Sequence, residues 1–466
     1  MAISIKIVIF CITWCCYGAV TLLLFHMFTI HQNSPYMDEI FHVKQAEKYC
    51  DGNFSEWDDK ITTPPGLYLV SIGILVPASS LFHINYCTTI GLRIINVAFS
   101  MGNMYIIYVL HAYIHKTHQN IKKYQHILSS LNLALFPLSY FFTFLYYTDS
   151  GALFFILLMY LFHLMRSDGT AALFGLLAIL FRQTSIIWVF FVAVLQLINI
   201  LTYWIRRETS AKQDHVHSLL PFIKYTRTIL LHRKQLFHIL SDILKTTGNY
   251  VLIGIGFVLF VIYNQGIVLG DKSAHQACFN FPQILYFLGF FLCFSCSYLI
   301  SFTKLLQFLK FCQTHFFLTC FFCVVSGAFI YKFTYVHPYL IADNRHLTFY
   351  IWRKILGYKS IIPYLYIPLY LYSAWSLIHS LSHKSELWKL TFIFCLIVAL
   401  IPQQLLEFRY FIIPYIILRL NMNVGNWLQL LGETFVYIFI NIVALYLFFY
   451  KTFHWPDSND VQRIMW

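Results

Sequence analysis

Acidic residues are scarce in this chain. Only 19 of its 466 residues are Asp or Glu, against 32 Lys and Arg. Charged residues of both signs make up 11%, where soluble domains carry about 25%. That shortage excludes an ordinary water-facing surface. Hydrophobic residues reach 59% and mean hydropathy is +0.66, so the chain reads as an all-α polytopic membrane protein, a single integral domain over 1–466 set in the lipid bilayer. Internal repeats and low-complexity tracts are also missing. The 12 cysteines are scattered through apolar runs, as at Cys11, Cys15, Cys16 and Cys293, and read as buried thiols without a metal role. Cys50 and Cys278, in polar loops assigned to one side, are a candidate pair. The net charge of +13 comes from Lys and Arg clustered in short loops between apolar spans. That is the pattern of the positive-inside rule, so nucleic acid is excluded as a partner.

The acids that are present are concentrated. Seven of them, Asp38, Glu39, Glu47, Asp51, Glu56, Asp58 and Asp59, fall between Ser34 and Pro65. This stretch follows the first apolar run, 7–29, which is uncharged and long enough to span. No small-residue cleavage site follows it, so it reads as an uncleaved first span with Lys6 in the cytosol. Residues 30–87 then form a luminal acidic loop. The apolar stretch 66–82 is short and contains Pro77. If it crossed the membrane, the basic linker 113–125 (Lys116, Lys122, Lys123) would share a side with the acidic loop. It is therefore expected to lie in or dip into the luminal interface.

Further spans are expected at 88–112, 126–146 and 150–166. One helix over 170–204 would be about 52 Å long, against a hydrocarbon core of about 30 Å. A charge at mid-span costs about 2.5–3.5 kcal/mol or more. The stretch is therefore expected to break at Arg182-Gln183-Thr184, with Arg182 at the luminal end. Residues 206–247 form a basic, partly apolar cytosolic loop that includes Lys224 and Arg227, with an interfacial helix as one option. Spans at 248–268, 282–301, 315–331, 360–380, 388–404, 408–420 and 429–450 bring the expected total to about 13. Asn53-Phe54-Ser55 is the one N-x-S/T sequon, and glycan on Asn53 would mark that loop as luminal.

With this topology four more polar clusters share the acidic loop's side. They are Thr148-Asp149, the loop with Asp271, Lys272 and His275, the run Asp343-Asn344-Arg345-His346, and Glu407-Phe408-Arg409. A carboxylate can take the proton of an attacking hydroxyl. Arg, Lys and His can hold a phosphate and offset the charge that builds as it leaves. Each has a plainer alternative. Asp38 and Glu39 can be ordinary loop charges, and Arg345 and His346 interfacial side chains. Arg409 can serve only Glu407, Asp149 can cap a helix, and Arg182 can be structural, as Arg93 is expected to be.

The blocks YMDEIFHVKQAEKYCDGNFSEWDDKITTPPGLYL, GDKSAHQACFNFPQ, ADNRHLTFYIWR, LLEFRYFIIPY and QRIMW, in this order from residue 36 to 466, resemble the eukaryotic dolichyl-phosphate-glucose-dependent α-1,2-glucosyltransferases. The basic stretch 206–247 carries no matching motif. The resemblance implies a GT-C-type fold with a long first luminal loop, an endoplasmic reticulum membrane location and a luminal active site. It also implies dolichyl phosphate β-glucose as donor and a diglucosylated dolichyl-pyrophosphate oligosaccharide as acceptor. Transfer would invert the anomeric carbon. The loop's acid motif falls on Asp38 as base, with Glu39 second. Arg345 and His346 would contact the donor phosphate, with Arg409 and Lys272 behind them. Asp149, Arg182, Asp271, His275, Asp343 and Glu407 are further candidates. No cofactor is implied, although Asp38 and Asp149 leave a shared divalent ion open. The rival readings are a transporter or another non-enzymatic polytopic protein, which would place polar residues at mid-span, and a related transferase for mannose or an earlier glucose.

Overall fold

The computed structural model describes residues 5–115, 123–209, 217–231, 233–272, 277–456 and 460–466. Lys116, Lys122 and His275 lie outside them. Among the described residues the secondary structure is helical except for one antiparallel pair of two-residue strands, Phe453–His454 with Val461–Gln462. Helices dominate because lipid offers no partner to backbone N–H and C=O groups, which must then pair within the segment. Among the described residues six helices are long and apolar enough to cross a membrane: Ile5–His31, Thr89–Ile114, Gln183–Thr209, Gln235–Asn264, Phe316–Phe333 and Trp427–Tyr450. A bent pair, Tyr124–Ala134 with Pro137–Phe144, makes a seventh if counted as one span.

The first nine helices are α1 (Ile5–His31), α2 (Glu39–Cys50), α3 (Gly66–Phe82), α4 (Thr89–Ile114), α5 (Lys123–Ala134), α6 (Pro137–Phe141), α7 (Asp149–Leu164), α8 (Asp168–Phe181) and α9 (Ile186–Thr209). The helices over the first apolar run and over 66–82 match expectation in extent. So does the break at Arg182, where α8 stops and a short 3-10 turn, Gln183–Ser185, leads into α9. Gly151 lets α7 approach α8, since a Cβ there would overlap the Phe181 ring. That contact brings Asp149 to Arg182.

Four expectations are corrected. The span at 126–146 is not straight. Phe136, ahead of Pro137, is extended at ψ 118°, because proline disfavours helical geometry in the residue before it. The chain bends by 60° there. Residues 206–247 are mostly helix rather than loop. α9 runs to Thr209, and the helices Leu219–Leu231 and Arg233–Asn264 follow. The apolar face of the first, with Phe222 and Ile229 buried, packs on α9. Third, Cys50 is bonded to Cys87, not Cys278, which is a free thiol. The fourth concerns thiol burial: Cys11, Cys15, Cys16 and Cys293 are exposed rather than buried. Cys293 and Cys296, and Cys320 and Cys323, stand at C-x-x-C intervals. All four are free thiols, and among the described residues no three His, Cys, Asp or Glu are grouped to hold a metal.

The Cys50–Cys87 bond joins the end of α2 to the residues before α4 and closes a 37-residue separation. A loop of that length limits the unfolded chain by about 3–4 kcal/mol in the chain-entropy treatment. The Cys50→Ser and Cys87→Ser variants should therefore melt at a lower temperature than wild type by the same amount, and reductant should not lower either further. Cys278→Ser should melt like wild type. Differential scanning fluorimetry of the purified protein reads all three.

Candidate active site

Asp38 stands directly before α2, in its N-cap position, but its side chain makes no capping bond. Met37 before it has φ 58°, a left-handed conformation uncommon for a residue with a side chain. The turn aims the Asp38 carboxylate outward, where it is 53% exposed. Glu39, one residue later, points the opposite way and is fully buried. Its Oε1 accepts from Arg93 Nε at 2.7 Å and from the Tyr146 backbone N–H at 2.8 Å. Its Oε2 accepts from Arg93 Nη2 at 2.7 Å and from the Tyr36 N–H at 3.0 Å. Both oxygens are thus saturated, which removes Glu39 as an alternative base. Arg93, also fully buried, spends its remaining donors on the Gln32 and Ser34 carbonyls.

Around Asp38 the structure gathers residues from four distant segments. Arg409 Nη2 lies 3.4 Å from Asp38 Oδ2, and Arg409 Nη1 lies 3.7 Å from Asp149 Oδ2. Glu407 binds the same guanidinium at Nε. Arg409 also lies over the rings of Tyr147 (5.1 Å) and Phe142 (5.3 Å), a cation–π arrangement that favours its charge. Burial opposes ionisation of Arg409, yet Glu407, Asp149 and Asp38 outweigh it and push its pKa well above the usual arginine value. Arg182 pairs with Asp149 and faces the Tyr410 ring at 5.8 Å. Asp149 is the first residue of α7 and joins two arginines; the N-cap is Thr148.

Arg345 and His346 approach from the far end of the chain. Asp343 grips Arg345 through two bonds, at 2.9 and 2.7 Å, and the Trp455 ring stacks on the guanidinium at 4.5 Å. Burial alone would raise the Asp343 pKa, but the bonds from Arg345 lower it below the ordinary carboxylate value. The other guanidinium edge, Nη1, meets only Gln462 at 3.5 Å. Asp38 is close enough to act electrostatically on Arg345. His346 Nδ1 is 3.1 Å from the Trp466 carbonyl.

Two expected members bond other residues. Lys272 is exposed and directs its ammonium to the Asn264 carbonyl. The Asp271 N–H donates to the Asp59 carbonyl at 2.7 Å, and Gly270, at φ 61°, permits the close approach. These residues dock on the far end of the acidic loop. Asn53, half-buried, bonds Ser55. The divalent-ion option for Asp38 and Asp149 meets an obstacle, because the guanidinium of Arg409 bridges those two carboxylates.

Residues that sequence reasoning passed over support the site from behind. The Asn96 amide donates to the Leu145 and Tyr147 carbonyls at 2.6 and 2.8 Å, fixing the turn that carries Tyr147. Buried His42, one helical turn after Asp38, bonds the Tyr68 hydroxyl. The signal for both was a polar residue inside a helix whose neighbours are mostly apolar.

The buried pair and the buried imidazole give two expected outcomes. Breaking a buried ion pair on one side costs about 3–5 kcal/mol, so Glu39→Gln or Arg93→Met should lower folded yield on detergent size-exclusion chromatography. Asp38→Asn, at an exposed carboxylate, should leave it unchanged. Burial first, aided by Arg409, depresses the His42 pKa to about 4, against the opposing pull of Asp38, Asp149 and Glu39. The unfolded imidazole, near pH 6.5, therefore takes up a proton that the folded one refuses. Stability from this group is complete above about pH 6.5 and falls by roughly 3 kcal/mol as pH drops to about 4. His42→Gln should flatten that part of the melting-temperature profile.

The DIE2/ALG10 family profile matches residues 32–420. A human relative, a "Dol-P-Glc:Glc(2)Man(9)GlcNAc(2)-PP-Dol alpha-1,2-glucosyltransferase", is 42% identical over 460 residues, covering 97% of each chain. Proteins of the same name from Drosophila melanogaster and Arabidopsis thaliana are 34% and 32% identical, over 94% and 93% of this chain and 95% of each of theirs. No solved structure matches. With a family profile over most of its length and relatives aligned nearly end to end, this chain belongs to the DIE2/ALG10 family.

Proposed function

We propose that this chain is a dolichyl-phosphate-glucose-dependent α-1,2-glucosyltransferase of the endoplasmic reticulum membrane. It moves glucose from dolichyl phosphate β-glucose onto the diglucosylated dolichyl-pyrophosphate oligosaccharide, the last glucose added before the glycan is used for N-glycosylation. The site is luminal, and the architecture is of GT-C type with about 13 spans, some of them broken or short. The observation that carries this reading is the half-exposed Asp38 carboxylate set 3.4 Å from Arg409 and within electrostatic reach of Arg345.

The chemistry follows from that set. Asp38 accepts the proton of the acceptor glucose 2-hydroxyl as its oxygen attacks C1 from the face opposite the phosphate. The C1–O bond breaks with its electrons going to dolichyl phosphate, and one displacement turns β into α. The leaving phosphate needs charge stabilisation rather than a proton. Arg345 offers its open Nη1 edge, and His346 and Arg409 complete the cationic side. The fixed fork of a guanidinium suits phosphate oxygens better than a mobile ammonium does, and the Lys272 ammonium is engaged by the Asn264 carbonyl. No metal takes part in this scheme; the positive charge beside Asp38 is Arg409.

Transfer from dolichyl phosphate glucose to synthetic acceptors, with and without chelator, tests the reading. The diglucosylated acceptor should be used and the monoglucosylated one refused, and chelator should leave the rate unchanged. Asp38→Asn should lose about 10²–10⁴-fold in kcat, the usual contribution of a general base. Arg345→Ala should raise the donor KM far more than Asp59→Ala. Full activity of Asp38→Asn would remove the proposed base.

A further inference from the structure

Arg463 is a buried cation that the mechanism does not use. It is 8% exposed. Its Nη1 donates to the Phe448 and Phe449 carbonyls at 3.0 and 3.2 Å, and its Nη2 to the His31 carbonyl at 2.6 Å. Its Nε donates to Gln32 Oε1 at 2.9 Å. All four acceptors are neutral. Three are carbonyls in the last turns of α1 and of the helix Trp427–Tyr450, the groups that helix geometry leaves without a partner and that form the negative ends of the helix dipoles. One guanidinium thus closes two spans that are more than 400 positions apart in the chain.

From this anchor the backbone runs across the site. The Tyr36 hydroxyl accepts from the Arg463 N–H and donates to the Arg463 carbonyl, both at 2.8 Å. Tyr36 is two residues before Asp38, and its own N–H holds Glu39. On the other edge, the Met465 N–H donates to the Arg345 carbonyl at 2.8 Å, and the Leu347 N–H donates to the Met465 carbonyl at 2.7 Å. The base and the phosphate-facing arginine come from loops about 300 residues apart. The segment Val461–Trp466 touches both.

We propose that Val461–Trp466 is a positioning element for glucosyl transfer, anchored by Arg463, that sets Arg345 and His346 at working distance from Asp38. This deepens the reading above and rests on it. A ladder of backbone bonds fixes the main chain of residues 345–347 and leaves the Arg345 Nη1 edge pointed at the donor. Loss of the anchor shifts the phosphate-facing groups relative to Asp38, whose own loop stays pinned by the Glu39–Arg93 pair and by the Tyr36 N–H on Glu39. The defect therefore appears in donor recognition.

The test is steady-state kinetics of the full chain in lipid nanodiscs, varying dolichyl phosphate glucose and the diglucosylated acceptor in turn. Arg463→Gln should raise the donor KM by about tenfold and Tyr36→Phe by about threefold, with the acceptor KM within about twofold of wild type, as expected for loss of a charged and a neutral hydrogen bond respectively. Asp59→Asn should match wild type in both. An unchanged donor KM, or an acceptor KM that rises as much, would overturn the proposal and leave the segment a plain stability element. If Arg463→Gln does not fold, Tyr36→Phe decides by the same split. Absence of any transfer by the wild-type chain would instead undo the glucosyltransferase reading itself.

Discussion

The buried pair of Glu39 and Arg93 is the contact on which the arrangement around Asp38 depends. Two ions with no solvent exposure are tolerable only when their geometry is good and every remaining donor and acceptor is met. Here four bonds reach the carboxylate and the guanidinium closes two more on backbone carbonyls. The partners come from the chain leaving α1, from α2, from α4 and from the turn before α7. Breaking this junction would detach each of them. Its immediate product is the aim of Asp38. With Glu39 drawn inward and Met37 left-handed, the residue between them faces out.

Two neighbouring acids thus have opposite jobs, and side-chain length and setting separate them. Glu39 reaches inward to a cation and two N–H groups, while Asp38 stays short, uncapped and near water. A chain with 19 acids in 466 residues places them where cations wait. Arg419 and Glu433, both fully buried, form a second pair with bonds at 2.7 and 2.9 Å, although Arg419 Nη1 lacks a hydrogen-bond partner among the described residues. Tyr298 and Asn132 add further bonds to that glutamate. In a lipid-embedded core such pairs act as rivets between helices, since apolar packing alone distinguishes poorly between one helix partner and another.

Much of the site was legible because charge is expensive in apolar surroundings. Arg182 inside a hydrophobic run marked a helix break, and the break is there. The dense acids after the first span marked Asp38, which the structure sets beside Arg409. What stayed hidden depends on contacts between distant segments. Nothing local tells Cys50 to choose Cys87 over Cys278; the choice follows from α3 folding back so that the end of α2 meets the start of α4. The helical character of 206–247 was obscured by its Lys and Arg, which read as a loop although its apolar residues recur at helical spacing. The bend at Pro137 was readable in principle, since the residue before a proline avoids helical angles. Arg463 entered only as part of the QRIMW block, and its anchoring role stayed hidden because most of its acceptors are backbone carbonyls, which carry no side-chain signature.

The cations of the site are already paired before any donor arrives. Arg345 is held by Asp343, Arg409 by Glu407, Asp149 and Asp38, and Arg182 by Asp149. A net positive pocket would attract any phosphate, including the product, and would release dolichyl phosphate slowly. A pocket whose guanidiniums are fixed by acids instead presents directed N–H groups at modest net charge. Stabilisation is then greatest where the leaving oxygen gains charge, which favours the transition state over either bound phosphate. The same acids hold Arg409 to a single long contact with Asp38, at 3.4 Å, and leave the rest of that carboxylate open. On this argument the carboxylates behind the arginines matter to turnover as much as the arginines do, because they make the electrostatic field rigid.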